Sequence, residues 1–494
     1  MSQKHLIFAL SLLLLFSCKS EDKALFQPVF NVSEETTHKI KEDQEFTFGY
    51  LEVPENRANP ASRSIQIPVY IFKSRNQNPK KDPIIYTVGG PGSSTMRSAQ
   101  YMKSYQYLDD RDFILVEQRG TRYSKPHLDC PEWAKAIYES NLPDFNESNS
   151  EAHFEKAAQA CRDRLTKNGI DLNGYNTNEI AADINDLVNV LNIEEYNLLT
   201  ISYSTKIAQV LMRDYPEKIR SVVMDSSLPL EVSYDEESVA NLLELISTLL
   251  SDCETDADCN AAYPNLKTRF LEYLREKTIN PLEVSVKNPN SGNLETFRLK
   301  GKDLITVFSS ISNGVVPYIP SEIEKLLNGD LSSVQEQLSS LFQGPSSGEG
   351  LGMRVSVWCA EEYPFNSQEV IKNETQKYPE VTGLSPAVFK QNICQIWSVK
   401  NVDKIENKAV KSDIPTLLIS GSYDPDTPVK WAQNMLPNLS NSYHVIFNGW
   451  THGPTTNWSN NCAMQVANAF FNDPNVKPMI ECFETLKSPK FVMD

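Results

Sequence analysis

The stretch NLLTISYSTKIAQVL, residues 197–211, leaves an apolar run, passes Ser202, and enters a helix-like pattern. A serine at such a turn becomes a nucleophile if an imidazole takes its proton and a carboxylate orients that imidazole. Three other turns carry the groups required: GGPGSS at 89–94, SYDPDTP with Asp424, and NGWTHGP with His452. Together these residues predict acyl transfer, with Ser202 as nucleophile, His452 as general base and Asp424 as the orienting acid. The residues flanking such a serine must be small, because strand and helix backbones crowd there. Here they are Thr200 and Ser204, small but not glycine. Overpacking from Thr200 would cost about 1 to 3 kcal/mol if the helix could not shift.

Elements must be found that place these turns side by side. From residue 46, FTFGYLEVPENRANPASRSIQIPVYIF reads as two strands around a Pro/Asn-rich turn. PIIYTVGG, DFILVE, YNLLTIS and SVVMDS are apolar runs suited to strands covered on both faces. Segments 151–168, 177–192 and 204–214 have helical spacing between or beside them. Strand alternating with helix predicts a doubly wound, mostly parallel α/β sheet. After Pro229 the pattern turns helical, as at 235–251 and 264–277, and strands resume near residue 414. The expected division is therefore a core over 46–228, an inserted, mainly helical cap over 229–410, and the rest of the core over 411–494.

In such sheets catalytic groups collect beyond the carboxyl ends of strands. All four candidate turns fall there, in the chain order Ser, Asp, His of the α/β-hydrolase fold. Of six histidines, only His444 and His452 follow Ser202 and the acid in that order; His444 sits inside the apparent strand YHVIF, whereas His452 lies in a glycine-flanked loop. Asp426 and Asp225 remain alternative acids. An oxyanion needs preorganised N–H donors, and Tyr203 and Gly90 are the expected pair, since Pro91 has none.

The composition excludes several classes. A formal charge of -17 disfavours nucleic acid as a partner, and neither a phosphate-cradling loop nor a His-rich metal cluster is present. No cofactor and no metal are expected. At the N-terminus, Lys4 and His5 precede the apolar run Leu6 to Phe16, which has the proportions of a secretion signal over 1–17. LLLLFSC resembles the lipobox of bacterial lipoproteins, which implies acylation of Cys18, a tether over 18–45, and contact with a membrane through that anchor only. The expected location is the cell envelope, on the periplasmic or surface face of a bacterial outer membrane. Nine cysteines less Cys18 leave an even set in an exported chain. Locality favours Cys130 with Cys161, Cys253 with Cys259, Cys359 with Cys394, and Cys462 with Cys482.

GYLEVPENR, GGPGSS, EQRGTRYS, SYSTKIAQVLMRDYPEKIRSVVMDS, CETDADCNAAYP, VWCAEEYPF, LLISGSYDPDTP and THGP together resemble the tripeptidyl aminopeptidase and proline iminopeptidase branch of the α/β-hydrolases. The resemblance runs from about residue 46 to 482. It implies a serine exopeptidase that releases one to three residues from free peptide N-termini, with Ser202, Asp424 and His452 as triad and Gly90 in the oxyanion loop. It also implies acidic side chains for the substrate ammonium group, for which Glu361 and Glu362 in CAEE are the matching residues. Departures include Thr200 and Ser204 for the elbow glycines, Glu117 for Asp, Tyr123 for Gly and Val88 for His. Two other readings fit the same sequence: an esterase or other acyl hydrolase, and a catalytically silent binding lipoprotein.

Overall fold

Leu198 and Leu199 are consecutive in one strand, both are fully buried, and they enter different apolar clusters. A strand can do this only when both faces of its sheet are covered. Val222 and Val223 repeat the pattern in the next strand, and Leu417 and Leu418 in the one after. The computed structural model describes residues 26–41, 43–309, 311–384 and 390–493. The expected signal segment and Cys18 lie outside them.

The strands are β1 (Val29–Val32), β2 (Phe46–Pro54), β3 (Ser64–Phe72), β4 (Lys80–Thr87), β5 (Arg111–Val116), β6 (Tyr196–Ile201), β7 (Ile219–Asp225), β8 (Leu282–Lys287), β9 (Leu294–Leu299), β10 (Thr416–Gly421) and β11 (Ser442–Phe447). Nine form one sheet in the order β1-β2-β3-β5-β4-β6-β7-β10-β11. Strands β5, β4, β6, β7, β10 and β11 run parallel, while β1, β2 and β3 add an antiparallel edge. Helices Thr177–Val190 and Ser204–Asp214 bury Ile180, Ile184, Ile207 and Leu211 against one face. The turn Thr95–Ser104 and helix Cys462–Asn472 cover the other with Met96, Met102, Phe470 and Phe471.

Two boundaries differ from the sequence expectation. The tether over 18–45 contains β1, which pairs with β2 from Val29↔Glu52 to Val32↔Gly49. Four residues are too few for a readable period. The Tyr70 hydroxyl accepts from the His38 N–H at 3.1 Å, and Tyr123 lies 3.2 Å from His38 Nε2, so this segment is bound to the sheet.

The second difference concerns the insertion over 229–410. Its own apolar core gathers Leu249, Leu250, Phe270, Leu274 and Ile323 from helices with Val284 and Phe297 from the β8–β9 hairpin. Met353, Val355, Val357, Trp358, Ile393 and Trp397, however, pack into the core beneath the main sheet. The insertion returns to the core through the short helices Leu351–Val357 and Gln391–Trp397, whose seven residues each carry no strand alternation. No helix among the described residues is long and apolar enough to cross a membrane.

Four disulfides join Cys130–Cys161, Cys253–Cys259, Cys359–Cys394 and Cys462–Cys482. Cys359–Cys394 spans 35 residues and ties both returning helical segments together. Replacing both its cysteines by alanine should lower unfolding free energy by about 3 to 4 kcal/mol, the loop-closure entropy of such a span. Non-reducing urea titration measures this, and an unchanged midpoint would show that packing alone holds the return.

Candidate active site

Ser202 follows β6 with φ 61°, in the left-handed region, where a residue with a Cβ is strained by about 1 to 2 kcal/mol. Its N–H donates to the Asp225 carbonyl at 2.9 Å, and its own carbonyl accepts from the Thr205 N–H at 2.9 Å and hydroxyl at 2.7 Å. The bend is thus fixed from both sides.

The two residues that replace the elbow glycines are accommodated by their hydroxyls. Ser204 Oγ accepts from the Ile201 N–H at 2.8 Å and reaches the Thr87 carbonyl at 2.8 Å. Thr200 donates to the Val223 carbonyl at 3.2 Å. Both are fully buried and fully engaged. Glycine is instead required across the gap, at Gly89, where a Cβ would stand 2.7 Å from Ser202 Cβ and 3.0 Å from the Tyr203 nitrogen.

Ser202 and His452 line one cavity of about 530 Å³ with Gly89, Gly90, Tyr203, Tyr234, Arg354, Trp358, Asp426 and Thr427. His452 Nδ1 donates to Asp424 Oδ2 at 2.8 Å. Asp424 is buried, and its carboxylate also accepts from the Asp426 and Thr427 N–H groups at 2.9 and 3.0 Å and the Thr427 hydroxyl at 2.7 Å. Burial alone would raise the Asp424 pKa; His452 and these hydrogen bonds hold it below the ordinary value. Burial would lower that of His452, but Asp424, helped by Asp426 and Asp225, pushes it up to about 9.

The alternatives take other roles. Asp225 accepts from the Thr455 N–H at 2.7 Å and hydroxyl at 2.5 Å, fixing the loop after His452. His444 lies on β11 against Ser420 at 3.0 Å, and burial pushes it down to about 4. Asp426 is exposed at the cavity and accepts from the Tyr234 hydroxyl at 3.2 Å.

The backbone N–H groups of Gly90 and Tyr203 make no hydrogen bond to described protein groups, so both are available to an oxyanion in this cavity. Behind that loop, buried Glu117 accepts from the Ser94 hydroxyl at 3.2 Å, the Met96 N–H at 3.1 Å and the Thr121 hydroxyl at 2.7 Å. Burial pushes Glu117 up to about 7.

Glu361 and Glu362 are not brought to the cavity, which corrects the ammonium-binding assignment. Glu361 is buried and accepts both the N–H and the hydroxyl of Thr177, which in turn meets the Tyr203 hydroxyl at 2.7 Å. Glu362 forms a buried ion pair with Lys206. These carboxylates brace the site from behind. Thr427 and Arg354 were not singled out by sequence; the DPDTP turn held a signal for the former, while nothing in the pattern marked the latter.

The family described as alpha/beta hydrolase fold matches residues 82–295, and that described as TAP-like protein matches residues 382–482. This chain is a serine hydrolase of the α/β-hydrolase fold. The hydrolase is 21% identical over 437 residues to the serine protease Hip1 of Mycobacterium tuberculosis, covering 82% of this chain and 81% of the relative. It is 23% identical over 405 residues to the tripeptidyl aminopeptidase of Streptomyces coelicolor, covering 78% and 73%. A putative hydrolase, YuaR, of Escherichia coli is 20% identical over 432 residues, covering 81% of each chain.

Two measurements test the site. Only neutral imidazole accepts a proton, so kcat/KM should rise with pH along a limb centred at about 9. Asp424→Asn should move that limb toward the ordinary histidine value of 6.5 while lowering the rate; a wild-type profile already flat from about pH 7 upward would contradict the assignment. Thr427→Val removes one donor from the buried Asp424 carboxylate and should lower kcat about tenfold, with Thr427→Ser restoring it. Equal rates for all three forms would show that the hydroxyl is dispensable.

Proposed function

We propose that the hydrolase is an exported serine exopeptidase that releases short peptides of one to three residues from free N-termini. Ser202 attacks the scissile carbonyl, His452 takes its proton and later delivers it to the departing amine, and Asp424 stabilises the imidazolium. The N–H groups of Gly90 and Tyr203 receive the oxyanion. The acyl-enzyme is then hydrolysed through the same base.

The observation that carries the exopeptidase reading is the wall of the cavity. The insertion contributes Tyr234, Arg354 and Trp358 to the lining that also contains Ser202, which favours a chain end over an internal segment. Asp426 is the carboxylate of that lining, and its exposed oxygen can take the substrate ammonium group that Glu361 and Glu362 cannot reach. The names of the tripeptidyl aminopeptidase and serine protease relatives support peptide substrates. Four disulfides support action outside the cytoplasm, where acyl chains on Cys18 would hold the enzyme to an envelope membrane.

The test is hydrolysis of an Ala-Ala-Pro reporter amide with its amine free or acetylated. Wild type should cleave the free-amine form only, and Ser202→Ala should cleave neither. Asp426→Asn should reduce the preference for the free amine by about tenfold to a hundredfold, the worth of a charge-assisted hydrogen bond. Equal cleavage of both forms by wild type refutes N-terminal recognition. Turnover of ester reporters alone would make the enzyme an acyl hydrolase.

A further inference from the structure

Arg354 differs from every other arginine in the described residues. Each of the others has a carboxylate oxygen within 4.0 Å. Arg97, in an adjoining cavity of about 440 Å³, is matched by Glu349 at 2.7 Å. Arg354 lines the cavity that holds Ser202 and His452, yet it has neither an ion pair nor a hydrogen bond there, and its Nε is buried without a partner.

Its position is nonetheless defined. The guanidinium carbon lies over the Trp358 ring, 5.7 Å from its centroid, a cation–π contact that uses none of its N–H donors. That contact accounts for the position of the group but not for the donors. A buried donor without a partner is destabilising, and an acceptor brought by a ligand into the cavity would relieve that cost. The partner suited to a planar, permanently charged fork is a carboxylate, which it can take through two parallel hydrogen bonds.

We propose that Arg354 binds a carboxylate of the substrate, so that the enzyme prefers peptides that present one in the cavity over their amide counterparts. This rests on the peptidase reading. Tyr234, which donates to Asp426 and feels the charges of both Asp426 and Arg354, places the two charged groups in one wall. The lining therefore has an anionic point for the ammonium group and a cationic point for a carboxylate. That carboxylate belongs either to an acidic side chain or to the C-terminus of a short peptide.

Matched free-amine substrates separate these sources: tripeptide reporter amides with Glu or Gln at the first or second position, and tetrapeptides ending in a carboxylate or a carboxamide. The wild-type ratio of kcat/KM for acid over amide should be about ten to one hundred in one pair. In Arg354→Gln that ratio should fall to about one, with Arg354→Lys between, and labelling of Ser202 by a serine-directed phosphonate shows that each variant is folded. A side-chain source shows its preference in a Glu/Gln pair, a terminal source in the tetrapeptide pair. Ratios near one in every wild-type pair overturn the proposal while turnover of the Gln reporters leaves the peptidase reading intact. A preference that survives in Arg354→Gln also overturns it. If no peptide is turned over, the peptidase reading fails, and competition of the same peptides against an ester reporter still reads whether Arg354 selects the acid.

Discussion

The left-handed bend at Ser202 is the constraint on which the rest of the site depends, because it is repeated one strand along and ties the catalytic loops to each other. Ser202 donates its N–H to the carbonyl of Asp225, at the end of β7. Ser226, with φ 57°, donates in the same way to the carbonyl of Ile419 in β10. The carboxyl edge of the sheet is therefore a chain of backbone contacts from β6 to β7 to β10. Its side chains reach the base: Ser226 Oγ accepts from the Gly453 N–H at 2.8 Å, and Asp225 holds Thr455. The loop of His452 is thus tied to the bend at Ser202 through the end of β7. Strain of about 1 to 2 kcal/mol at each bend is modest beside the burial of both faces of the sheet, where each large apolar side chain contributes about 1.5 to 3 kcal/mol.

Three carboxylates near one imidazole would make an ambiguous site if their surroundings were alike. They are not. Asp424 is buried but receives donors on both oxygens, so it stays ionised opposite His452. Asp225 is equally buried with Thr455 as its main donor, and burial pushes it up to about 6. Asp426 faces the cavity and is exposed there. The same residue type thus orients the base, anchors a loop and lines the cavity, separated by the number of donors each carboxylate finds.

The strands and their order of chemistry were legible in the sequence because strands buried on both faces appear as apolar runs, and the reactive residues end them. β1 was not legible: four residues of an edge strand have no period to show. The return of helices Leu351–Val357 and Gln391–Trp397 to the main core was hidden for a related reason, since short helices interrupted by loops look alike whether they pack on a cap or beneath a sheet. Thr200 and Ser204 looked like defects in the elbow, because a one-letter frame shows size and not the hydrogen bonds a hydroxyl makes. The need for glycine had moved to Gly89, which the sequence places far from Ser202 and the sheet places against it.

Glu361 and Glu362 show the limit of reading function from charge. Both stand in a single π-type turn, Trp358–Glu362, which faces the cavity through Trp358 and directs the two carboxylates into the core. There Glu361 holds Thr177, and through it the Tyr203 ring, while Glu362 neutralises Lys206 on the helix that follows Ser202. Burial pushes Glu361 up to about 7, so its charge is sensitive to small changes in its surroundings. Helix Leu351–Val357 leads directly into this turn and carries Arg354 into the cavity wall. The insertion consequently reaches the site at two depths: one turn of it braces Tyr203 from the core, and Arg354 and Trp358, just before and within that turn, line the cavity. A change in how the cap packs would reach Tyr203 through Thr177, which makes the cap a structural part of the nucleophile elbow as well as a cover for it.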